Sequence, residues 1–164
     1  FEVLLNHALE AGTRIRFAPE LCGKTHYFGE AQIELLWPCP GYDAGLDLND
    51  NSLTLRLGLR ETSFLFTGDL ERDAEERLLE AGLIEPVDVL KVAHHGSRTS
   101  STEAFLDAAQ PSLAIISCGA GNRYGHPDSG VLERLRGAAA SVLRTDQHGG
   151  VIVQSDGERL SVRR

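Results

Sequence analysis

Two adjacent histidines, His94 and His95, follow a largely apolar run over residues 87–93, and Asp69 follows another over residues 64–67. Imidazole nitrogens and carboxylate oxygens are protein ligands for zinc, manganese and iron. Both runs are typical of β-strands, so each strand would deliver metal-binding side chains at its C-terminal end. The pattern predicts a metallo-hydrolase site, or part of one.

Each of these residues also has a simpler interpretation. Asp69 lies where an apolar strand meets a predicted helix, so it equally fits a helix N-cap, and the two roles are compatible. His94 and His95 are adjacent, so on an extended backbone their side chains point to opposite faces and should not bind the same ion. One histidine is therefore expected to be a ligand, and the other a neighbour of the site.

The residues after the histidine pair suit the binding of an anion. Gly96 and Ser97 lead towards a predicted helix, for which Ser100 is the expected N-cap and Glu103 its partner in a capping box. Free amides and hydroxyls at such a position can receive a negatively charged group. A metal ligand beside an anion site is the combination that phosphate chemistry requires.

A glycine-rich loop over residues 119–127 adds a second set of polar groups. It contains Asn122, Arg123 and His126, which supply an amide, a cation and an imidazole. Because the intrinsic pKa of imidazole is near neutrality, His126 could donate a proton to a leaving group. The alternative is a loop histidine that stacks on Pro127 or Tyr124.

Composition sets the frame for these sites. The chain has 164 residues, of which 41% are hydrophobic and 24% charged, and these values are typical of one soluble domain. The net charge of −8 argues against a nucleic-acid binding module, although bound cations let an acidic enzyme hold a phosphate. No apolar run is long enough for a transmembrane helix, and no signal peptide is recognisable.

The three cysteines, Cys22, Cys39 and Cys118, are odd in number and show no CxxC spacing, so we expect buried or free thiols and no disulfide. The initial Phe1 and the absence of methionine indicate a segment of a longer protein.

Hydrophobic periodicity predicts a single α/β (or α+β) domain over residues 1–164, with a sheet covered by helices. Helices are expected over residues 2–11, 71–81, 100–109 and 128–136. Strands are expected over residues 13–17, 27–37, 52–59, 63–67, 87–93, 113–117, 141–145, 151–154 and 159–162. Three loops that carry polar groups should then meet at the C-terminal ends of neighbouring strands.

Several motifs together resemble the metallo-β-lactamase-fold domain of the ComEC competence proteins, which carry transforming DNA across the inner membrane. These motifs are Asn-Asp-Asn-Ser-Leu at residues 49–53, Phe-Thr-Gly-Asp at 66–69, Leu-Lys-Val-Ala-His-His-Gly-Ser at 90–97, and Asn-Arg-Tyr-Gly-His-Pro at 122–127. They cover about 80 residues in the family's order and spacing, and the segment 145–153 is also similar. The resemblance implies an αββα sandwich with a metal site, for zinc or manganese, on one edge of its two sheets.

The resemblance also implies roles for individual residues. Asp69 and His95 match ligand positions of the family, and Asp50 or the neighbouring Asn51 lies where many relatives have a further histidine ligand. The positions that would face the substrate are His94, Ser97, Asn122, Arg123 and His126, with His94 and His126 as the candidates for catalysis.

One expected motif is missing from the sequence. The family's principal ligand cluster, His-x-His-x-Asp-His, does not occur in the chain. The chain therefore resembles the second half of the domain, an αββα sandwich incomplete at its N-terminal side. We expect weak metal affinity and no turnover from this polypeptide alone.

The leading hypothesis is a metal-dependent phosphodiesterase that cleaves DNA during competence. It would be a soluble, extracytoplasmic part of a bacterial inner-membrane protein, with the remainder of that protein as its partner. For the isolated acidic chain we expect no stable complex with nucleic acid. The alternatives are a free-standing hydrolase of a small phosphoester or ester, because a fold does not fix a substrate, and a non-catalytic docking module.

Overall fold

The computed structural model describes residues 2–164. Its main sheet has seven strands that neighbour one another in chain order. Strands β1 to β4 pair in antiparallel fashion, whereas β4 to β7 are parallel. The strands are β1 (Thr25–Phe28), β2 (Ala31–Trp37), β3 (Thr54–Leu59), β4 (Thr62–Phe66), β5 (Val89–Lys91), β6 (Leu113–Ile116) and β7 (Ser141–Arg144).

Six α-helices, two 3-10 turns (Asn49–Asn51 and Ala93–Gly96) and a separate hairpin complete the described part of the chain. The helices are α1 (Glu2–Glu10), α2 (Ala18–Leu21), α3 (Arg72–Glu80), α4 (Glu103–Ala109), α5 (Ser129–Gly137) and α6 (Thr145–His148). The hairpin consists of β8 (Ile152–Ser155) and β9 (Leu160–Arg163). The α/β class expected from the sequence is confirmed. Within residues 2–164, no helix combines the length and apolar character needed to cross a membrane.

Side-chain alternation along the central strands separates two faces of the sheet. Leu65, Leu90 and Ile116 point into the main core, where each is at most 1% exposed. Helices α3, α4 and α5 cover this face with side chains that include Leu78, Leu106 and Leu135, all fully or almost fully buried. Strand residues two apart lie on one face, so the intervening side chains must point the other way.

The opposite face is apolar but only partly covered. It carries Phe64, Phe66 and Ile115, and Val153 of the hairpin lies with them around a cavity of about 250 Å³. The ring of Phe66 remains 42% exposed. The hairpin is attached at the β3–β4 turn, where the amide of Glu61 donates to the carbonyl of Gly157 at 2.8 Å.

Several predicted elements differ from the structure. Residues 13–17 form no strand, and the strand predicted over 87–93 is confined to β5 because residues 93–96 form a 3-10 turn. Ser100 is not the cap of α4. Ser101 has a left-handed backbone (φ 53°), which a helix cannot contain. Thr102 caps the helix instead, since its Oγ1 accepts a hydrogen bond from the amide of Phe105 at 3.3 Å.

The expectation of three unpaired thiols is also wrong. Cys22 and Cys39 form a disulfide, and Cys118 is the free cysteine among the described residues. The pairing arises because Cys22 directly follows α2 while Cys39 lies just beyond β2, and these two elements contact each other. A sequence separation of 17 residues carries no spacing signal for such a contact.

We expect alkylation to separate the two kinds of cysteine. In denaturant without reductant, iodoacetamide should label Cys118 alone, because the Cys22–Cys39 bond protects the other two sulfurs. After reduction, mass spectrometry should find all three cysteines labelled. Three labels on the unreduced chain would show that the disulfide does not form.

Glu75 is a buried acid that connects α3 to the segment before α4. Its carboxylate is fully buried and accepts hydrogen bonds from the amides of Ser101 at 2.6 Å and Thr102 at 2.9 Å. Burial raises the pKa of Glu75, and the two amide donors oppose this shift. The carboxylate thus satisfies two backbone donors that the left-handed turn removes from water.

Replacement of Glu75 should therefore be costly. Glu75→Ala leaves both amides without an acceptor, and we expect a loss of about 2–4 kcal/mol in the free energy of unfolding measured by urea denaturation at pH 7. Glu76→Ala is the matched control, because Glu76 is exposed on the same helix and should change stability by less than about 0.5 kcal/mol. Equal effects from the two variants would contradict the structural role of Glu75.

Candidate active site

Parallel pairing brings three strand ends to one edge of the sheet. Phe66 of β4, Lys91 of β5 and Ile115 of β6 are register partners, so the loops that follow these strands begin at the same level. Functional loops of parallel sheets gather at this carboxyl edge. The three loops carry Asp69, the histidine pair and the residues after Ser117.

Two glycines allow these loops to approach other segments closely. A Cβ on Gly68 would lie 2.8 Å from the Cβ of Ser52, and one on Gly96 would lie 2.6 Å from the Cβ of Pro127. Both glycines also have positive φ angles, +55° and +82°, which other residues rarely adopt. Any side chain at either position would push the loops apart, so the geometry of the site depends on both glycines.

His95 is the best-oriented side chain at this edge. Its Nδ1 lies 2.6 Å from the carbonyl oxygen of Ser117, and because a carbonyl can only accept, Nδ1 must carry the proton. In the neutral ring Nε2 is then the unprotonated nitrogen, and it lies 3.5 Å from Oδ1 of Asp69. Both side chains are nearly half exposed, so this nitrogen and the carboxylate oxygen lie together near solvent.

This pair matches two corners of a metal site. Two ligands bound to one tetrahedral zinc ion at about 2.0–2.2 Å lie roughly 3.3–3.6 Å apart, which agrees with the observed separation. The Ser117 carbonyl is the outer-shell acceptor that metal-binding histidines usually have. However, residues 2–164 contain no group of three or more His, Cys, Asp or Glu side chains placed to hold an ion. The ligand set is therefore incomplete.

The backbone at the histidine pair is not extended, which corrects the sequence expectation. His94 and His95 both have left-handed φ angles, 44° and 56°, within the 3-10 turn. The turn is anchored by the amide of His94, which donates to the carbonyl of Gly68 at 3.0 Å. The two rings lie 6.3 Å apart at an angle of 66° on this tight turn, and not on opposite faces of a strand.

His94 points towards Glu71, at the start of α3. Oε1 of Glu71 lies 2.7 Å from Nδ1 of His94, but this oxygen is out of line with the ring N–H. The nitrogen is buried and makes no aligned hydrogen bond within the described residues. The His94 ring also neighbours that of His126, with ring centres 5.8 Å apart and planes at 62°.

His126 stacks on Tyr124, as one of the two sequence interpretations allowed. The ring centres are 5.9 Å apart and the planes differ by 16°. Burial lowers the pKa of His126, and protonation of the nearby His94 and His95 would lower it further. The shift favours the neutral form of the ring, which suits proton acceptance.

Three predicted site residues are engaged elsewhere. The amide of Asn122 donates to the carbonyls of Gly119 and His126 and accepts from the amide of His126, so it shapes its own loop and has no free donor for phosphate. Ser97 is 8% exposed, and its hydroxyl is paired with that of Thr99 at 2.9 Å. The Asn122 amide is thus fully used within its loop, and the Ser97 hydroxyl is almost buried and already paired.

Asp50 is the third of these residues. It is 4% exposed, and its Oδ1 accepts from the amides of Glu71 and Ala74, which caps the start of α3. Burial raises the pKa of the Asp50 carboxyl, against the effect of the two amide donors. The structure thus gives Asp50 a task in the fold in place of the expected position at the metal.

Sequence reasoning missed two groups near the site. The sequence pattern gives Glu71 only the first position of a predicted helix, and in the structure it lies beside His94. Lys91 is largely buried, its Nζ donates to the carbonyl of Val92 at 2.8 Å, and burial lowers its pKa while the charge of Asp69 opposes the shift. The sequence signal for Lys91 was a single cation beside the apolar residues Val89 and Leu90 of β5. Arg123, in contrast, is exposed as expected, and it lies over the ring of Tyr124.

Comparison with known proteins assigns this sequence to a family. The sequence profile of the metallo-beta-lactamase superfamily matches residues 24–120. ComE operon protein 3 of Bacillus subtilis is 44% identical over 103 residues, which is 63% of this chain and 13% of the relative. Competence protein ComA of Neisseria gonorrhoeae is 38% identical over 113 residues, 68% of this chain and 16% of the relative.

Recombination protein 2 of Haemophilus influenzae is 36% identical over 114 residues, which cover 70% of this chain. The matched region spans between 13% and 16% of the length of these three relatives. The family profile nevertheless covers more than half of the chain, and it includes Asp69, His95 and Ser117. The chain therefore belongs to the metallo-beta-lactamase superfamily, and its relatives there are competence proteins of the ComEC family.

Proposed function

We propose that this chain contributes Asp69 and His95 to the metal centre of a hydrolase that cleaves DNA phosphodiesters during competence. The observation that carries the proposal is the orientation of His95, whose Nδ1 is held by Ser117 while Nε2 faces Asp69 at 3.5 Å. In the neutral ring this arrangement places the Nε2 lone pair beside a carboxylate oxygen, as two ligands of one ion would lie. Kinship with competence proteins supports DNA as the substrate.

The metal, zinc or manganese, would activate a water molecule and neutralise phosphate charge. The chain's own residues then have separate tasks. Arg123 supplies an exposed cation beside the site, which suits the attraction of a phosphate to an otherwise acidic protein. The neutral form of His126 would accept the proton released by the attacking water and donate it to the leaving oxygen. The ring of His94 lies 5.8 Å from that of His126.

The proposal requires ligands beyond those found in this chain. Catalytic zinc sites usually have three protein ligands and an open position for water, whereas the described residues supply two. We infer that the remaining ligands come from other parts of the natural gene product. The 164-residue chain alone should accordingly bind metal weakly and should not turn over.

The disulfide bears on location. Disulfides persist mainly in oxidising compartments, so the Cys22–Cys39 bond supports a place outside the cytoplasm. We propose that the domain is an extracytoplasmic part of a membrane protein of the ComEC type, and that the rest of that protein is its partner.

The incomplete ligand set also favours a second candidate, a non-catalytic module that keeps the fold to dock a partner. The two proposals differ in what they require of His95. A docking module needs no unprotonated Nε2, so replacement of His95 would leave its role intact. A metal centre would lose a ligand.

The natural gene product, assayed with manganese and linear DNA, provides the test. Asp69→Ala and His95→Ala should each reduce cleavage by at least about 100-fold, since loss of a metal ligand removes the chemistry that the ion supplies. The matched controls are Asp107→Ala and His7→Ala, which replace exposed side chains on α4 and α1 and should leave the rate unchanged. Unchanged cleavage in either site variant would remove that residue from the site.

His126→Ala should behave differently from the ligand variants. We expect the cleavage rate to fall by about 100-fold, the usual contribution of a positioned acid–base group, while metal affinity stays the same. Metal affinity can be measured by calorimetric titration with manganese. A loss of metal in this variant would make His126 a ligand and would contradict its assignment as the acid–base group.

A further inference from the structure

Tyr124 is an exposed aromatic ring beside the candidate metal ligands. The ring is 68% exposed although it contacts two neighbours, the imidazole of His126 and the guanidinium of Arg123. The Cζ atom of Arg123 lies 5.2 Å from the ring centre, and Nη2 donates to the tyrosine hydroxyl at 3.1 Å. Tyr124 and Arg123 thus form one cationic, aromatic surface at the rim of the site.

This surface borders a cavity of about 310 Å³ that also reaches His95. Residues 117–119, Tyr124 and His126 also line it. The volume is at the lower end of the range for small-molecule sites, about 300–1,000 Å³. A small heteroaromatic group is therefore within the size range of the cavity, and His95, which lines the cavity, lies 3.5 Å from Asp69.

The chemistry of the rim selects the kind of ligand. Aromatic rings and Arg guanidinium planes are the surfaces on which proteins stack unpaired nucleobases. Inorganic phosphate and small aliphatic esters have no aromatic face that could stack on an exposed tyrosine ring. The cation of Arg123 adds attraction for the negatively charged backbone next to the stacked base.

We propose that the Arg123–Tyr124 pair binds the nucleobase next to the scissile phosphate, so that the site takes single-stranded DNA or an unpaired strand end. The inference rests on the proposed function for the class of substrate. A base inside a duplex is already stacked on both faces, so it must be unstacked to reach Tyr124. Every base has a π-face, and the site should therefore show no sequence preference.

The test is a titration of the 164-residue chain, free of metal in EDTA, with a single-stranded tetranucleotide of deoxyadenosine. Proton NMR reports stacking directly, because a base that lies on an aromatic ring shows upfield shifts of its own protons. We expect weak, saturable upfield shifts of the adenine protons. Tyr124→Ala should weaken the apparent affinity by about 5-fold or more, the effect of losing one stacked base.

Three controls make the result specific. Tyr124→Phe keeps the ring and should bind within about twofold of the original chain. Tyr27→Ala should also have no effect, because Tyr27 is equally exposed, at 70%, but lies on edge strand β1 at the other side of the sheet. A tetranucleotide with abasic positions should bind more weakly than the intact one. Equal binding by Tyr124→Ala, or by the abasic tetranucleotide, would overturn the proposal.

Failure of the base site and failure of the proposed function give different results. If the natural gene product does not cleave DNA with manganese but the adenine shifts still depend on Tyr124, the base site stands and the phosphodiesterase assignment fails. If cleavage occurs while Tyr124→Ala changes neither the shifts nor the rate on single strands, the assignment stands and the base site fails.

Discussion

One hydrogen bond, between Nδ1 of His95 and the carbonyl oxygen of Ser117, determines the chemistry of the candidate site. It joins the loop after β5 to the end of β6, and it fixes the tautomer that leaves Nε2 free to bind a metal. The bond is possible because β5 and β6 are parallel and in register, so that both loops start at the same edge. The strand topology thus sets the orientation of His95, and that orientation sets which nitrogen can bind a metal.

The backbone holds His95 in this position at an energetic cost. Two consecutive non-glycine residues, His94 and His95, have left-handed φ angles, and each such residue costs about 1–3 kcal/mol. The surrounding contacts offset this strain: His94 donates to Gly68, Gly96 lies against Pro127, and Asp128 donates to the carbonyl of Gly96. Strain that is maintained by so many contacts is typical of functional sites.

The sequence alone predicted the features that depend on local patterns. Hydrophobic periodicity along residues 53–59 and the apolar runs over residues 64–67 and 87–93 located the central strands. The polar residues at their ends located the edge where Asp69 and His95 meet. Features that depend on three-dimensional contact were not predictable. Asp50 caps α3 from 21 residues away, and the contact between α2 and β2 brings Cys22 and Cys39 together.

Local conformation was the other source of error. The histidine pair looked like the end of a strand because residues 89–93 are largely apolar, and nothing in the composition signals a left-handed turn except Gly96. The Asn122 side chain could donate a hydrogen bond to a phosphate. In the structure its amide instead bonds to Gly119 and His126 and so stabilises a loop with three glycines. The geometry of the site, and not its residue types, therefore distinguishes ligands from supports.

The central claim is that Asp69 and His95 form two corners of a metal site. Its most direct test is an NMR titration of the chain with Mn²⁺, which broadens the signals of nuclei near the bound ion. Our account predicts weak binding, with broadening that begins at Asp69, His95 and Ser117 and disappears in His95→Ala. Broadening that is absent from these residues, or that persists unchanged in His95→Ala, would contradict it.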